Sequence, residues 1–219
     1  MRDRYSVGVG LLFLALIAFV AIQTLTGGND DETLGLDKLE ARWPLPEFAV
    51  PAAAGPLEGD ANVAQDDCGS VGIPCPEEPP RKPACRITTR GALRVCDYFD
   101  KPLVLSFWFS EGGGCVDQQD VVDRVYRRYL GRVNFLSLDV RDDRGTLRKI
   151  LAERGWRMPV GYDRDGAVAA LYRVGGCPTF AYAYPGGTLQ AASIGELSAA
   201  GLERRVRRLL AATARAEAG

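Results

Sequence analysis

Histidine is absent from the 219 residues. That absence excludes Ser-His-Asp and Cys-His catalysis, histidine-based zinc and copper sites, and imidazole pH switching. Chemistry must come from Cys, Asp, Glu, Tyr, Lys or Arg. A surplus of positive charge is also missing: 27 Lys and Arg against 28 Asp and Glu leave a formal charge of -1, so no basic face is expected and nucleic acid is excluded as a partner. What is present is ordinary globular material, 47% hydrophobic and 25% charged, enough for one domain with a real core. Six cysteines, an even number, suggest an oxidising compartment where pairs persist.

The N-terminus carries the compartment signal. Ser6 to Leu25 reads SVGVGLLFLALIAFVAIQTL, twenty residues without a charge, long enough to span a hydrocarbon core of ~30 Å as a helix. Arg2 and Arg4 precede it and Asp30, Asp31 and Glu32 follow it, which favours a cytoplasmic N-terminus. The expected organisation is a cytoplasmic tail at 1–5, a single-pass membrane anchor at 6–25 and an extracytoplasmic remainder. A cleaved signal peptide or a buried core helix are the alternatives.

Residues 26–84 are rich in Pro, Ala, Gly and Asp with little periodic hydrophobicity, which reads as tether and loop. Its first part, 26–43, is an acidic linker. Pro44 to Pro51 (PLPEFAVP) reads as a short extended segment. Cys68 and Cys75 enclose a Gly/Pro-containing loop, and Cys85 and Cys96 flank RITTRGALRV, expected as two short strands around a turn near Arg90-Gly91. Four cysteines permit three pairings, and proximity suggests structural disulfides Cys68 to Cys75 and Cys85 to Cys96. A four-cysteine zinc site is the rival, but the spacings do not resemble paired C-x-x-C knuckles. No metal and no cofactor are expected.

From Leu103 the pattern is regular. LVLSFW (Leu103 to Trp108) is a buried strand, and Val121, Val122, Val125, Tyr126 and Tyr129 follow at helical spacing. VNFLSLDV is the next strand, a charged helix runs from about Gly145 to Arg154, and PVGY and AVAALYRV give a short strand and a helical turn. TFAYAY, Pro185-Gly186-Gly187 and TLQAASI form a hairpin, and a last helix begins near Ser198 with Leu202, Val206, Leu209 and Leu210 on its apolar side. Alternating strands and helices make an α/β sandwich with a mixed sheet.

KPLVLSFWFSEGGGC from Lys101, MPVGYDRDGAVAALYRVGGCPTF from Met158, and the closing hairpin and helix together resemble the thioredoxin-like fold. The resemblance is to membrane-anchored TlpA/ResA-type thiol-disulfide oxidoreductases, relatives of the AhpC/TSA redoxins. It implies a three-layer thioredoxin-like domain over 44–215 with a Cys/Pro-rich insertion at 60–85, and protein thiols or disulfides as partners.

The resemblance also exposes departures. The family's attacking cysteine falls four residues after Trp108, on Gly112, and its partner cysteine falls on Cys115; the motif here is Gly112-Gly113-Gly114-Cys115. The family's buried acids fall on Ser106 and Gln118, which carry no titratable proton, although such a carboxylate helps deprotonate the resolving thiol. The family's cis-proline falls on Pro178, preceded here by Cys177. In that fold the residue before the cis-proline sits against the active-site motif, so Cys115 and Cys177 form a candidate relocated redox pair. Glu111, Gly113, Gly114 and Trp108 are expected to face the substrate. The alternative is that the pair is a permanent structural bond or two buried small hydrophobes, in a non-catalytic module that binds a partner protein. A peroxidase lacks its Thr or Ser three residues before Cys115, where Gly112 stands. A P-loop lacks the Lys-Ser/Thr after the glycines.

Overall fold

The computed structural model describes residues 43–65, 83–111 and 113–218. The expected membrane anchor, most of the acidic linker, Cys68, Cys75 and Gly112 lie outside the described residues. Among the described residues, no helix is long and apolar enough to cross a membrane.

The central strand is β4 (Leu103–Trp108), every residue of which is buried. A near-continuous apolar run suits a strand covered on both faces. Strands β5 (Asn134–Asp139) and β6 (Val160–Tyr162) extend the sheet in parallel on one side. On the other side β7 (Thr179–Ala183) and β8 (Leu189–Ile194) run antiparallel to their neighbours, giving the order β6-β5-β4-β7-β8. Parallel neighbours need crossovers. Helix α1 (Cys115–Tyr129) connects β4 to β5, and α2 (Arg144–Arg154) connects β5 to β6. The short α3 (Ala167–Leu171) precedes β7, and α4 (Ala199–Ala218) ends the described chain. Local signals mark these ends: Asp143 accepts the backbone N–H groups of Gly145 and Thr146 at the start of α2, and the Ser198 hydroxyl accepts that of Gly201 ahead of α4.

The pleat sorts β4 between two cores. Val104 and Trp108 face Val122 and Val125 of α1 and Leu202, Val206 and Leu209 of α4. Leu103, Leu105 and Phe107 face the opposite way, onto Phe48, Val50, Val168 and Tyr172.

That second layer agrees with the extended segment read at Pro44 to Pro51 and corrects the tether-and-loop reading for 52–65. Strand β1 (Phe48–Pro51) is the middle of a three-stranded antiparallel sheet with β2 (Val63–Ala64) and β3 (Ala92–Arg94), and Leu45, Phe48, Ala49, Val50, Ala53 and Ala61 are buried. Tyr172 ties this layer to the main sheet: its ring lies 5.6 Å from Phe48 and 5.2 Å from Phe107, and its hydroxyl donates to the Pro46 carbonyl at 2.7 Å. Small residues and prolines hide the rest of this layer, and the four residues of β1, buried throughout, show no alternation that would reveal its partners.

The expected hairpin over 86–95 is a second correction. Ala84–Arg86 is one 3-10 turn, and Ala92–Arg94 pairs with β1 instead of with the residues before the turn. Gly91 has φ +85°, and a Cβ there would stand 2.2 Å from the Pro56 carbonyl oxygen, so the turn, closed by the Ala92 N–H on the Thr89 carbonyl at 3.1 Å, packs against residue 56.

Candidate functional site

The ends of β4 and β7 build the site. Because β7 runs antiparallel to β4, with Thr179 opposite Phe107, the start of β7 lies beside the end of β4. Cys177 precedes β7 through a cis bond to Pro178, and Cys115 is the first residue of α1. Sixty-two residues apart in sequence, the two cysteines have Cα atoms 6.1 Å apart and are joined by a disulfide. Their exposure differs. Cys115 is 2% exposed and packs in the same core as Trp108 and Val122, whereas Cys177 is partly exposed.

Local bonds hold both arms. Pro178 is buried and its carbonyl accepts the Gly195 N–H at 2.9 Å, while the Thr179 hydroxyl donates to the Gly176 carbonyl at 2.6 Å. Gly114 adopts φ +78°, and a Cβ there would lie 1.8 Å from Oε1 of Glu196. Glycine therefore serves twice at 114, for the left-handed turn and for the carboxylate seated over it. Glu111, Gly113 and Gly114 form an exposed rim. Glu111 pairs with Arg141 at 3.6 Å with both side chains largely in solvent, a contact worth little.

Trp108 corrects the expectation that it faces substrate. It is fully buried, donates Nε1 to the Ser137 hydroxyl at 2.8 Å, and stands edge-on to Trp156 at 5.4 Å. A large ring with one polar atom fills this core and satisfies its N–H there.

Where the resembled family keeps buried acids, this chain has neutral networks. The Ser137 hydroxyl donates to Oε1 of Gln119 at 3.0 Å, and Nε2 of Gln119 donates to the Ser106 hydroxyl at 3.0 Å. All three are buried and none titrates in the physiological range. Gln118 grips the backbone of Leu197, donating from Nε2 to its carbonyl at 3.1 Å and accepting its N–H at 2.7 Å. That clasp fixes Glu196 beside the start of α1. A groove of about 460 Å³ follows, lined by Gly114, Asp117, Gln118, Glu196, Leu197 and Ser198 among others.

Two buried acids, Asp139 and Asp163, do lie near the site end of the sheet, with the Asp163 N–H donating to the Asp139 carbonyl at 2.7 Å. Asp139, last in β5 and paired in register with Trp108, is fully buried, with Oδ2 unpartnered. Burial first, then the neighbouring Asp142 side chain, pushes its carboxyl up to about 8. Asp142 in turn accepts the Ser110 N–H at 2.7 Å and the Ser110 hydroxyl at 2.5 Å, clamping the loop that leads toward Cys115. Sequence reading passed over Asp139, although a carboxylate ending the apolar run NFLSL was a visible signal. Gln119 and Glu196 carried no such signal.

The second disulfide in the described residues joins Cys85 to Cys96 across eleven residues, Cα atoms 5.9 Å apart. Bonded to each other, these two offer no thiolate to a metal. No described cysteine is free.

The sheet order, the helix opening on a cysteine after β4 and the cis-proline at β7 define a mixed α/β thioredoxin-like fold. Solved structures bear this out. A protein described as a DsbE-type thiol:disulfide interchange protein from Chlorobium tepidum superposes with a TM-score of 0.58 at 19% identity, covering 79% of this chain and 99% of its own. A DsbF homologue from Corynebacterium diphtheriae gives 0.55 at 17% identity over 76% and 87%. A thioredoxin-family thiol:disulfide interchange protein from Chlorobium tepidum TLS gives 0.55 at 16% over 78% and 99%. The fold is thus shared with these solved structures. No protein-family model and no curated protein matches the sequence.

Proposed function

We propose that this chain is a membrane-tethered, extracytoplasmic thiol-disulfide oxidoreductase that acts through Cys115 and Cys177, with Pro178 shaping the loop on which Cys177 is presented. The observation that carries the reading is the joining of these two cysteines at the start of α1, beside the cis-proline and under an exposed glycine rim. The fold neighbours described as thiol:disulfide interchange proteins and as a DsbF homologue support the reaction class. The uncharged segment 6–25 with its basic leading flank supports the anchor and the N-in orientation. Protein thiols or disulfides are the substrates, and the AhpC/TSA-like peroxidase reading is disfavoured by the missing hydroxyl at 112.

The test is a disulfide map by mass spectrometry across a glutathione redox series. The expected result is reversible reduction of Cys115–Cys177 above about -250 mV while Cys85–Cys96 stays bonded. If the Cys115–Cys177 bond resists as strongly as the other, the non-catalytic binding module replaces this reading.

A further inference from the structure

The geometry points to a division of labour within the pair: Cys177 is the sulfur that forms the mixed disulfide with a partner, and Cys115 is the leaving and resolving sulfur. This rests on the oxidoreductase reading and goes beyond it, because the position that attacks in the resembled family is occupied here by Gly112.

Two independent observations assign the roles. Exposure is the first. A partner thiolate must reach a sulfur along the line of the bond it breaks, and Cys115 is 2% exposed within the core of Trp108 and Val122, while Cys177 is partly exposed. Cys177 also packs against this core, yet of the two it is the residue with surface left to solvent. The leaving group is the second. Cys115 is the first residue of the fifteen-residue α1, so the thiolate it becomes is stabilised by the positive end of the helix, and a better-stabilised thiolate leaves faster. Cys177 precedes a strand and has no such support. Glu196, over Gly114, opposes this stabilisation in part.

The steps balance as follows. A partner thiolate attacks Sγ of Cys177, the Cys177–Cys115 bond breaks, and its electron pair departs on Sγ of Cys115. A second partner thiolate attacks the partner sulfur of the mixed disulfide and releases the Cys177 thiolate. The partner dithiol is oxidised to a disulfide and the Cys115/Cys177 pair is reduced by two electrons. In reverse, the Cys177 thiolate attacks a partner disulfide, and the Cys115 thiolate attacks Cys177 to release it.

The test compares the full-chain variants Cys115→Ser and Cys177→Ser, treated with oxidised glutathione, with adduct formation followed by mass spectrometry and folding checked by near-UV circular dichroism. The expected result is a glutathione adduct on Cys177 of Cys115→Ser forming at least tenfold faster than one on Cys115 of Cys177→Ser. If either variant fails to fold, the wild-type protein is reduced with glutathione, acid-quenched at short times and peptide-mapped; the transient adduct is expected on Cys177. An adduct that forms on Cys115 as fast or faster overturns the assignment while leaving the oxidoreductase reading standing. No adduct on either cysteine, together with an irreducible wild-type bond, overturns both.

Discussion

The two disulfides of the described chain close different loops in different surroundings. Cys85–Cys96 closes eleven residues, joining two 3-10 turns that flank β3. Cys115–Cys177 spans sixty-two and links the start of α1 to the start of β7, where one residue is buried and the other partly exposed. A local bond staples a segment that has little core of its own; a long-range bond at the end of a central sheet has the rest of the fold to hold its two cysteines near each other once it opens. The comparison teaches that, on the proposed function, loop size and support, rather than the presence of a bond, separate a staple from a working pair.

The strongest way to break this comparison is to delete each bond in turn. Replacing both Cys115 and Cys177 by Ser is expected to abolish thiol-disulfide exchange in a protein whose far-UV circular dichroism is unchanged, measured with a fluorescent peptide disulfide. Residual exchange in that variant would move the reaction elsewhere in the chain. Replacing Cys85 and Cys96 by Ser is expected to leave the exchange rate within a factor of two. The loss there is in stability, about 3 kcal/mol from loop closure, read by urea unfolding; an equal loss of exchange would erase the distinction between the bonds.

A smaller effect is expected from the acid beneath the working site. The Asp139 carboxyl, ordinarily 3.8, is raised to about 8 in the folded protein, so the fold holds a proton that the unfolded chain releases. The stability this contributes is complete below the unfolded value and is lost as pH rises toward 8. Asp139→Asn retains an acceptor for the backbone N–H groups of Arg141 and Asp142 and supplies a donor toward Asp142. Thermal unfolding from pH 5 to 8 should fall less for the variant than for the wild type. Parallel curves would show that Asp139 keeps its ordinary value.

The smallest shift is expected at Glu196. Removing its charge with Glu196→Gln leaves the α1 terminus to favour the Cys115 thiolate, which stabilises the reduced pair. Its potential should rise by about 10–20 mV, the equivalent of a terminal charge interaction, in a glutathione equilibrium, with no change at Cys85–Cys96. A fall in potential would reverse the sign argued here.

Much of the main sheet was legible in the sequence. LVLSFW, VNFLSLDV and TFAYAY show themselves as apolar runs, and the apolar positions of α1 and α4 repeat at helical spacing, because these elements bury whole faces. The β1 layer was legible only in part: PLPEFAVP reads as extended, but the pairing of Phe48–Pro51 with Val63–Ala64 and Ala92–Arg94 lies among alanines and glycines that carry no periodic signal. The hairpin expected at Arg90-Gly91 failed for a related reason. A turn residue marks where the chain bends but not which strand it then pairs with, and here the partner is β1. Trp108 misled because its place beside the motif in sequence says nothing of which side of the pleat it occupies.

The sequence by itself determined the spacing of the site: the count from Trp108 to Cys115, the glycine at 112, uncharged residues at 106 and 118, and a cysteine before Pro178. Tertiary structure alone decided that Cys115 and Cys177 meet, that one is buried and the other open, and that Ser106, Ser137 and Gln119 close a neutral network. Short-range patterns record which faces are buried and where the chain turns. Contacts across sixty-two residues are set by strand order, since antiparallel β7 beside β4 returns the chain to the start of α1, and no window of sequence contains that order.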